Sequence, residues 1–150
     1  MDQTAGTSKK VRLVVVDDHA LVRQGIIETL EDDPDFEVVG QGASAEDAVR
    51  VVNETKPDLI FLDVNMPGGG VAAASQIHTQ NPDVLITMFS FRQDLAIVRA
   101  CLAAGASGYI VKGITGCELI AVVRRLLAGE QWIEPELARR LALEKTAQEN

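Results

Sequence analysis

Short apolar runs along the chain alternate with longer stretches in which apolar residues recur every three or four positions. In one such stretch, Val22, Ile26 and Leu30 have the spacing of the buried stripe of an amphipathic helix. The apolar runs are rich in Val, Ile and Leu and end at turn residues, which is typical of buried strands. Strands are predicted at residues 11–16, 36–42, 58–64, 84–90 and 107–112. Helices are predicted at about 20–31, 44–56, 71–80, 93–105 and 117–129, with a further helix from Pro135.

This alternation predicts an α/β fold, a doubly wound five-stranded parallel sheet with helices on both faces. The strands are uniformly apolar, as strands covered on both faces should be. In such folds, ligands bind beyond the carboxyl ends of the strands, where the strand order reverses. The sequence has no GxGxxG after the first strand and no GxxxxGK[ST], so the usual nucleotide-binding loops are not expected.

The length of 150 residues predicts one domain with a short tail. Residues 1–10 are polar, lack the apolar core of a signal peptide and are predicted to be a disordered lead-in. The net charge of −8 argues against a strong sequence-independent attraction to nucleic acid or to an anionic membrane. No apolar run approaches the length of a membrane span.

The two cysteines and two histidines give no sign of a metal-binding motif. Cys101 and Cys117 lack CxxC spacing and lie in predicted helices, so we expect buried free thiols and a reducing, cytoplasmic location. His19 and His78 are far apart in sequence, which argues against a metal site built on the two histidines.

Polar residues follow four of the five predicted strands. Asp17 and Asp18 end the first strand, Asp63 the third, Ser90 the fourth and Lys112 the fifth. Because the carboxyl ends of parallel strands lie on one edge of the sheet, these side chains are expected to converge on one crevice.

Three neighbouring carboxylates repel each other in a partly buried site. A carboxylate that stays protonated, or one that caps a helix, would explain part of the cluster, but Mg²⁺ would explain all three. Asp63 stands alone before the "NMPGGG" loop and is the expected nucleophile for a phosphoryl group, forming an aspartyl phosphate. Lys112 and Ser90 would supply an ammonium and a hydroxyl to the transferred group.

Four motifs in order, "VVVDDH", "FLDVNMPGGG", "FS" and "GYIVK", together resemble the receiver domain of two-component response regulators. The resemblance covers residues 11–130 and implies a flavodoxin-like or CheY-like fold. The stretches "VDDHALVRQGI" and "LLAGEQWIEPELARRL" look most like receivers that precede a LuxR/NarL-type helix-turn-helix domain. Residues 131–150 then resemble a linker helix, with the output domain absent.

The resemblance implies a role for each matched residue. Asp63 is the phosphoacceptor, Ser90 is the switch hydroxyl, and Lys112 pairs with the phosphoryl group. Tyr109 matches the aromatic that swings inward on activation, although from the strand pattern alone it would be an ordinary half-buried residue. The implied Mg²⁺ ligands are Asp17, Asp18, Asp63 and the backbone carbonyl of Asn65.

Three positions depart from the family pattern. The loop from Met66 to Val71 is one residue shorter than usual if Gly70 is the family's loop glycine. Phe91 follows the switch serine, where a small residue is usual. Gly113 follows Lys112, where many members have a cis-proline.

The expected function is a phosphorylation switch that accepts phosphate from a sensor histidine kinase, forms a homodimer and regulates transcription; we do not expect an enzyme beyond autophosphorylation and autodephosphorylation. A Mg²⁺-dependent phosphohydrolase with an Asp nucleophile is disfavoured because position 65, where its acid would stand, is Asn. A pseudo-receiver that is never phosphorylated also remains open. This chain is not expected to bind DNA or a membrane, since the missing helix-turn-helix domain would bind DNA and only one helix follows Trp132.

Overall fold

The computed structural model describes residues 9–149, with side chains described as far as residue 146. Most of the predicted lead-in therefore lies outside the described residues. Six strands are present: Val11–Val16 (β1), Phe36–Gly42 (β2), Leu59–Asp63 (β3), Leu85–Ser90 (β4), Gly108–Val111 (β5) and Trp132–Ile133 (β6). The helices are Ala20–Glu31 (α1), Ala45–Thr55 (α2), Gly70–Gln80 (α3), Leu95–Ala103 (α4), Gly116–Leu127 (α5) and Pro135–Glu149 (α6).

All six strands pair in parallel in the order β2-β1-β3-β4-β5-β6. The predicted α/β fold is confirmed, with one difference in the number of strands. The chain runs from β1 outward to β2 and then returns to β3 on the other side of β1. The strand order thus reverses between β1 and β3, which is where a doubly wound sheet binds its ligand.

Alternate residues of the central strands point into two separate cores, one on each face of the sheet. Val14 of β1 and Ile60 of β3 pack with α2, α3 and α4. Leu13 and Phe61 of the same two strands pack with α1 and α5. These four side chains are almost fully buried, which explains why the strands read as continuous apolar runs.

Two helices that pack on the sheet begin with side-chain caps whose residue types can be recognised in the sequence. Ser44 accepts a hydrogen bond from the backbone N–H of Asp47 (3.1 Å), as the predicted N-cap should. Thr115 and Glu118 form a reciprocal capping box at the start of α5. Because the caps fix where these helices start, they also fix the loops that enter the two faces of the sheet.

The sixth strand is the difference from the predicted five. Trp132 pairs with Gly108 and Ile133 with Tyr109, so the chain beyond residue 130 adds an edge to the sheet. Leu137 of α6 is fully buried in the same core as α4, and Arg99 of α4 pairs with Glu144 of α6. The predicted linker helix therefore packs against the receiver. A two-residue strand is too short to produce the period-2 pattern on which the prediction depended.

The expectation of two buried thiols is half right. Cys101 is buried in α4, and burial raises the pKa of its thiol to about 11. Cys117 is exposed, because α5 turns Leu119, Val122 and Val123 toward the sheet and leaves this position in its first turn facing solvent. Among the described residues, none of the helices is long and apolar enough to cross a bilayer.

Candidate functional site

Asp63 is the last residue of β3 and lies at the strand-order reversal with only 3% of its surface exposed. Its Oδ1 accepts a hydrogen bond from the backbone N–H of Asn65 (3.2 Å). Burial raises the pKa of the Asp63 carboxyl to about 6, and the neighbouring Asp17 carboxylate adds to this shift. Lys112 and the Asn65 N–H act in the opposite direction. The result is a buried, electron-rich carboxylate that faces a cation.

Lys112 is the residue directly after β5, and its Nζ lies between two carboxylates. The Nζ is 2.8 Å from Asp17 Oδ2 and 3.4 Å from Asp63 Oδ1, and the side chain is 6% exposed. The ring centroids of Phe89 and Phe91 lie 5.9 and 5.4 Å from Nζ. The apolar rings limit the directions in which the ammonium can move, so it stays directed at the acid pair.

Asp17 and Asp18 follow β1, and neither acts as the helix cap that their position allowed. The N-cap of α1 is His19, which has no side-chain cap hydrogen bond. Asp17 is buried, and its Oδ1 accepts the backbone N–H of His19 (2.8 Å). Its Oδ2 forms an ion pair with Lys112, but no donor meets it with the angles of a hydrogen bond. Capping therefore does not account for the two aspartates.

Two further residues at this edge, His19 and Arg23, were not among the predicted site residues. The Nδ1 of His19 lies 3.2 Å from Asp18 Oδ1 and 3.6 Å from Asp17 Oδ1. Arg23 of α1 donates to the backbone carbonyl of Asp17 (2.6 Å) and to the Gln41 side chain (2.8 Å), which ties the end of β1 to β2. The helical spacing of His19 and Arg23, one turn apart, was the available signal.

The residues present fit a hard divalent cation. Ligand atoms of Asp17, Asp18, His19 and Asp63 all lie within 4.8 Å of one another. Carboxylate oxygens that would otherwise repel are the groups that Mg²⁺ takes as ligands while it keeps several waters. Asn65 lies beside Asp63 through its N–H, and the role of its carbonyl as a further ligand stays a prediction.

The loop after β3 packs so closely that one position has room only for glycine. A Cβ built on Gly70 would lie 2.2 Å from the backbone oxygen of Asp63 and 2.8 Å from the Cα of Val64. The backbone N–H of Gly70 donates to the Val64 carbonyl (3.0 Å). The start of α3 therefore rests directly on the backbone that presents the acid, in the loop that the sequence marked as short.

Ser90 ends β4, and its Oγ accepts the backbone N–H of Arg92 (3.0 Å). The hydroxyl of Tyr109 donates to the backbone carbonyl of the same Arg92 (2.8 Å). Tyr109 is fully buried, so the prediction from the strand pattern that it would be half-buried is wrong. Ser90 therefore binds the backbone N–H of Arg92 and Tyr109 binds its carbonyl, and together they fix the segment between β4 and α4.

Phe91 and Gly113 are the departures that lie around Lys112. Phe91 is 70% exposed, so its ring covers the outer side of Lys112 and does not fill the acid pocket. Gly113 has a φ of +110°, a conformation that glycine adopts readily, and the described residues contain no cis peptide bond. The turn after Lys112 is therefore built by glycine in place of a cis-proline.

The sequence model described as "Response regulator receiver domain" matches residues 13–124. The "Response regulator GacA" of Pseudomonas viridiflava is 38% identical over 134 residues, which are 89% of this chain and 63% of that protein. The chain therefore spans less than two thirds of the length of such relatives.

Solved structures show the same likeness. A two-component response regulator of the LuxR family from Aurantimonas sp. SI85-9A1 superposes with a TM-score of 0.86 and 34% identity, over 92% of this chain and 99% of that one. The signal receiver domain of the response regulator NarL from Mycobacterium tuberculosis gives a TM-score of 0.79 and 31% identity, over 82% of this chain and 100% of that one.

Proposed function

The chain belongs to the response regulator receiver domain family, and on that premise we propose that it is a phosphorylation switch whose phosphoacceptor is Asp63. It is a receiver of the LuxR/NarL type of two-component response regulator. The observation that carries the proposal is the position of Asp63. It is a buried carboxylate at the strand-order reversal, with the Lys112 ammonium 3.4 Å away and Ser90 at the end of the neighbouring strand.

The proposed reaction is a displacement at phosphorus. A carboxylate oxygen of Asp63 attacks the phosphorus of the donor, the bond from phosphorus to the donor atom breaks, and the donor keeps the electron pair. Lys112 leaves its pairing with the acids and neutralises a phosphoryl oxygen, and the Ser90 hydroxyl donates to another. A bound Mg²⁺ would supply additional positive charge beside Asp18 and Asp63. The donor we propose is the phosphohistidine of a sensor kinase.

The test of this proposal is labelling by a small phosphodonor. We expect acetyl phosphate to phosphorylate the purified chain in the presence of Mg²⁺, read by intact mass and Phos-tag electrophoresis. EDTA should abolish the label, because the single ammonium of Lys112 does not neutralise three carboxylates, which then repel an anionic donor. Labelling that proceeds equally in EDTA would contradict the proposed metal dependence, and no labelling under either condition would favour a pseudo-receiver.

Phe91 should slow access to the site from the solvent side. Its ring centroid lies 5.4 Å from Lys112 Nζ and the residue is 70% exposed, so we expect a donor or an attacking water to pass it on the way to the site. We expect Phe91→Ala to speed both acetyl phosphate labelling and autodephosphorylation by about threefold, a barrier change of about 0.7 kcal/mol. Leu143→Ala, a truncation of an exposed apolar residue on α6, is the matched control. Unchanged rates in Phe91→Ala would remove this role.

The consequence of phosphorylation should reach α4 through Arg92. A phosphoryl group on Asp63 draws the Ser90 hydroxyl toward it, which competes with the contact that Ser90 makes to the Arg92 N–H. Tyr109 holds the other side of Arg92, and Arg140 of α6 donates to the carbonyl of the next residue, Gln93 (3.0 Å). Because Arg92 and Gln93 lead into α4, the surface around α4 is the one we expect to change.

We expect this change to favour a homodimer through helix faces near α4 and α5, or through α1. Sedimentation velocity with and without beryllofluoride, which mimics the phosphoryl group, measures it. The expected result is a monomer in the untreated sample and a dimer in the treated one. An unchanged mass in both samples would exclude dimerisation as the output of this chain.

The role in transcription is proposed from the similarity to response regulators such as GacA and to a LuxR-family regulator. The basic pair of α6 does not suggest a DNA contact, since Arg139 pairs with Glu136 and Arg140 binds the Gln93 carbonyl. The phosphohydrolase alternative has no support at the site, where Asn65 turns its N–H to Asp63 and offers no carboxylic acid two residues on.

A further inference from the structure

We propose that His19 is a direct ligand in the acidic pocket and gives it selective affinity for borderline divalent cations such as Zn²⁺. This inference rests on the metal site of the proposed function and extends it to a second class of metal. The acids alone describe a site for a hard cation. The imidazole of His19 lies among them and adds a nitrogen ligand. In the sequence, His19 was a single histidine with no second one nearby.

The distances around His19 match those between ligands of one ion. Bonds of about 2.0–2.2 Å place neighbouring ligand atoms roughly 3 Å apart around a zinc-sized cation. The Nδ1 of His19 is 3.2 Å from Asp18 Oδ1, and the whole group lies within 4.8 Å. The side chains of His19 and Asp18 are 74% and 33% exposed, so both can move the remaining distance without disturbing the core.

The other contacts at the site direct this choice of ligands. Asp17 is already occupied, with Oδ1 on the His19 N–H and Oδ2 on Lys112. Among the described residues, no Lys or Arg side chain pairs with Asp18, which lies beside the imidazole of His19. Asp63 meets Lys112 and the Asn65 N–H through Oδ1 alone, which leaves its Oδ2 for a cation. The set that remains is Asp18, Asp63 and His19, a mixed oxygen and nitrogen set. Imidazole favours Zn²⁺ and Ni²⁺ over Mg²⁺, whose preferred ligands are oxygens.

The experiment uses the metal-free chain in a Cys117→Ser background, which removes the exposed thiol as a competing Zn²⁺ ligand. Long-range ¹H–¹⁵N spectra resolve the ring nitrogens of the two histidines, His19 and His78, during titration with Zn²⁺ or Mg²⁺. We expect Zn²⁺ to shift the Nδ1 resonance of His19 to the position of a metal-bound nitrogen. Mg²⁺ should leave it near its starting position.

Calorimetric titration of variants gives the second readout. We expect His19→Ala to weaken Zn²⁺ binding by about tenfold and Mg²⁺ binding by less than about twofold. His78→Ala, which removes the exposed histidine of α3, should change neither. An unshifted His19 Nδ1 in saturating Zn²⁺, or equal weakening of both metals in His19→Ala, would overturn the proposal. Failure of the wild-type chain to accept phosphate from acetyl phosphate would count against the proposed function and not against this ligand.

Discussion

Asp63→Asn is expected to abolish labelling by acetyl phosphate. The amide lacks the anionic oxygen that attacks phosphorus, and the nearby Asp17 is held by Lys112 and by the His19 N–H. Loss of the label in intact-mass spectra, with Mg²⁺ binding weakened but the fold retained, is the predicted outcome. Asp83→Asn, a change of an exposed turn carboxylate, should label like the wild type. A fully labelled Asp63→Asn chain would contradict the assignment.

The same variant should be more stable than the wild type when metal is absent. The pKa of the Asp63 carboxyl rises from 3.8 to about 6 on folding, so the folded state binds a proton more tightly than the unfolded chain does. The contribution of Asp63 to stability should therefore fall as pH rises from about 4 to about 6 and stay constant above that range. At pH 7.5 in EDTA, the free energy of unfolding of Asp63→Asn should be higher than that of the wild type by about 2 kcal/mol. Urea denaturation of both chains at several pH values measures this difference.

Gly70→Ala is expected to damage both the fold and the site. Its Cβ would lie 2.2 Å from the Asp63 backbone oxygen, and backbone atoms cannot move away as a flexible side chain would. We expect a loss of about 3 kcal/mol in the free energy of unfolding, together with slower labelling, because α3 must shift away from the acid. Denaturant titration and acetyl phosphate labelling measure the two effects.

Gly25→Ala is the matched control for this substitution. Gly25 lies inside α1, is exposed, and would place its Cβ with no atom within 4 Å. Because alanine is the better helix former, we expect unchanged or slightly higher stability, by about 0.5–1 kcal/mol, and unchanged labelling. If Gly70→Ala behaved like Gly25→Ala, the close contact at the start of α3 would not be a constraint on the acid loop.

The sequence predicted which side chains meet at this edge of the sheet, because the ends of parallel strands follow from the order of apolar runs along the chain. Asp17, Asp63 and Lys112 each follow an apolar run, and the topology of a doubly wound sheet brings such ends together. The two-residue strand at Trp132 carried no such signal, because its placement depends on pairing with β5 rather than on a local pattern.

Side-chain direction was the part that the sequence did not predict. Cys117 and Cys101 both lie in helices, and only the packing of each helix decides which thiol is buried. Tyr109 is fully buried because its hydroxyl finds the Arg92 carbonyl, a partner 17 residues away. The position of His19 beside Asp18 likewise depends on how the chain turns after β1, which no spacing rule specifies.

Peptide mapping of the labelled wild-type chain shows whether Asp63 carries the phosphoryl group. Reduction of an aspartyl phosphate by borohydride converts that residue to homoserine, which marks its position in tandem mass spectra. We expect homoserine at position 63, within the peptide that contains "FLDVNMPGGG", and at no other position. Phosphate retained on Ser90, or homoserine at position 17 or 18, would contradict it.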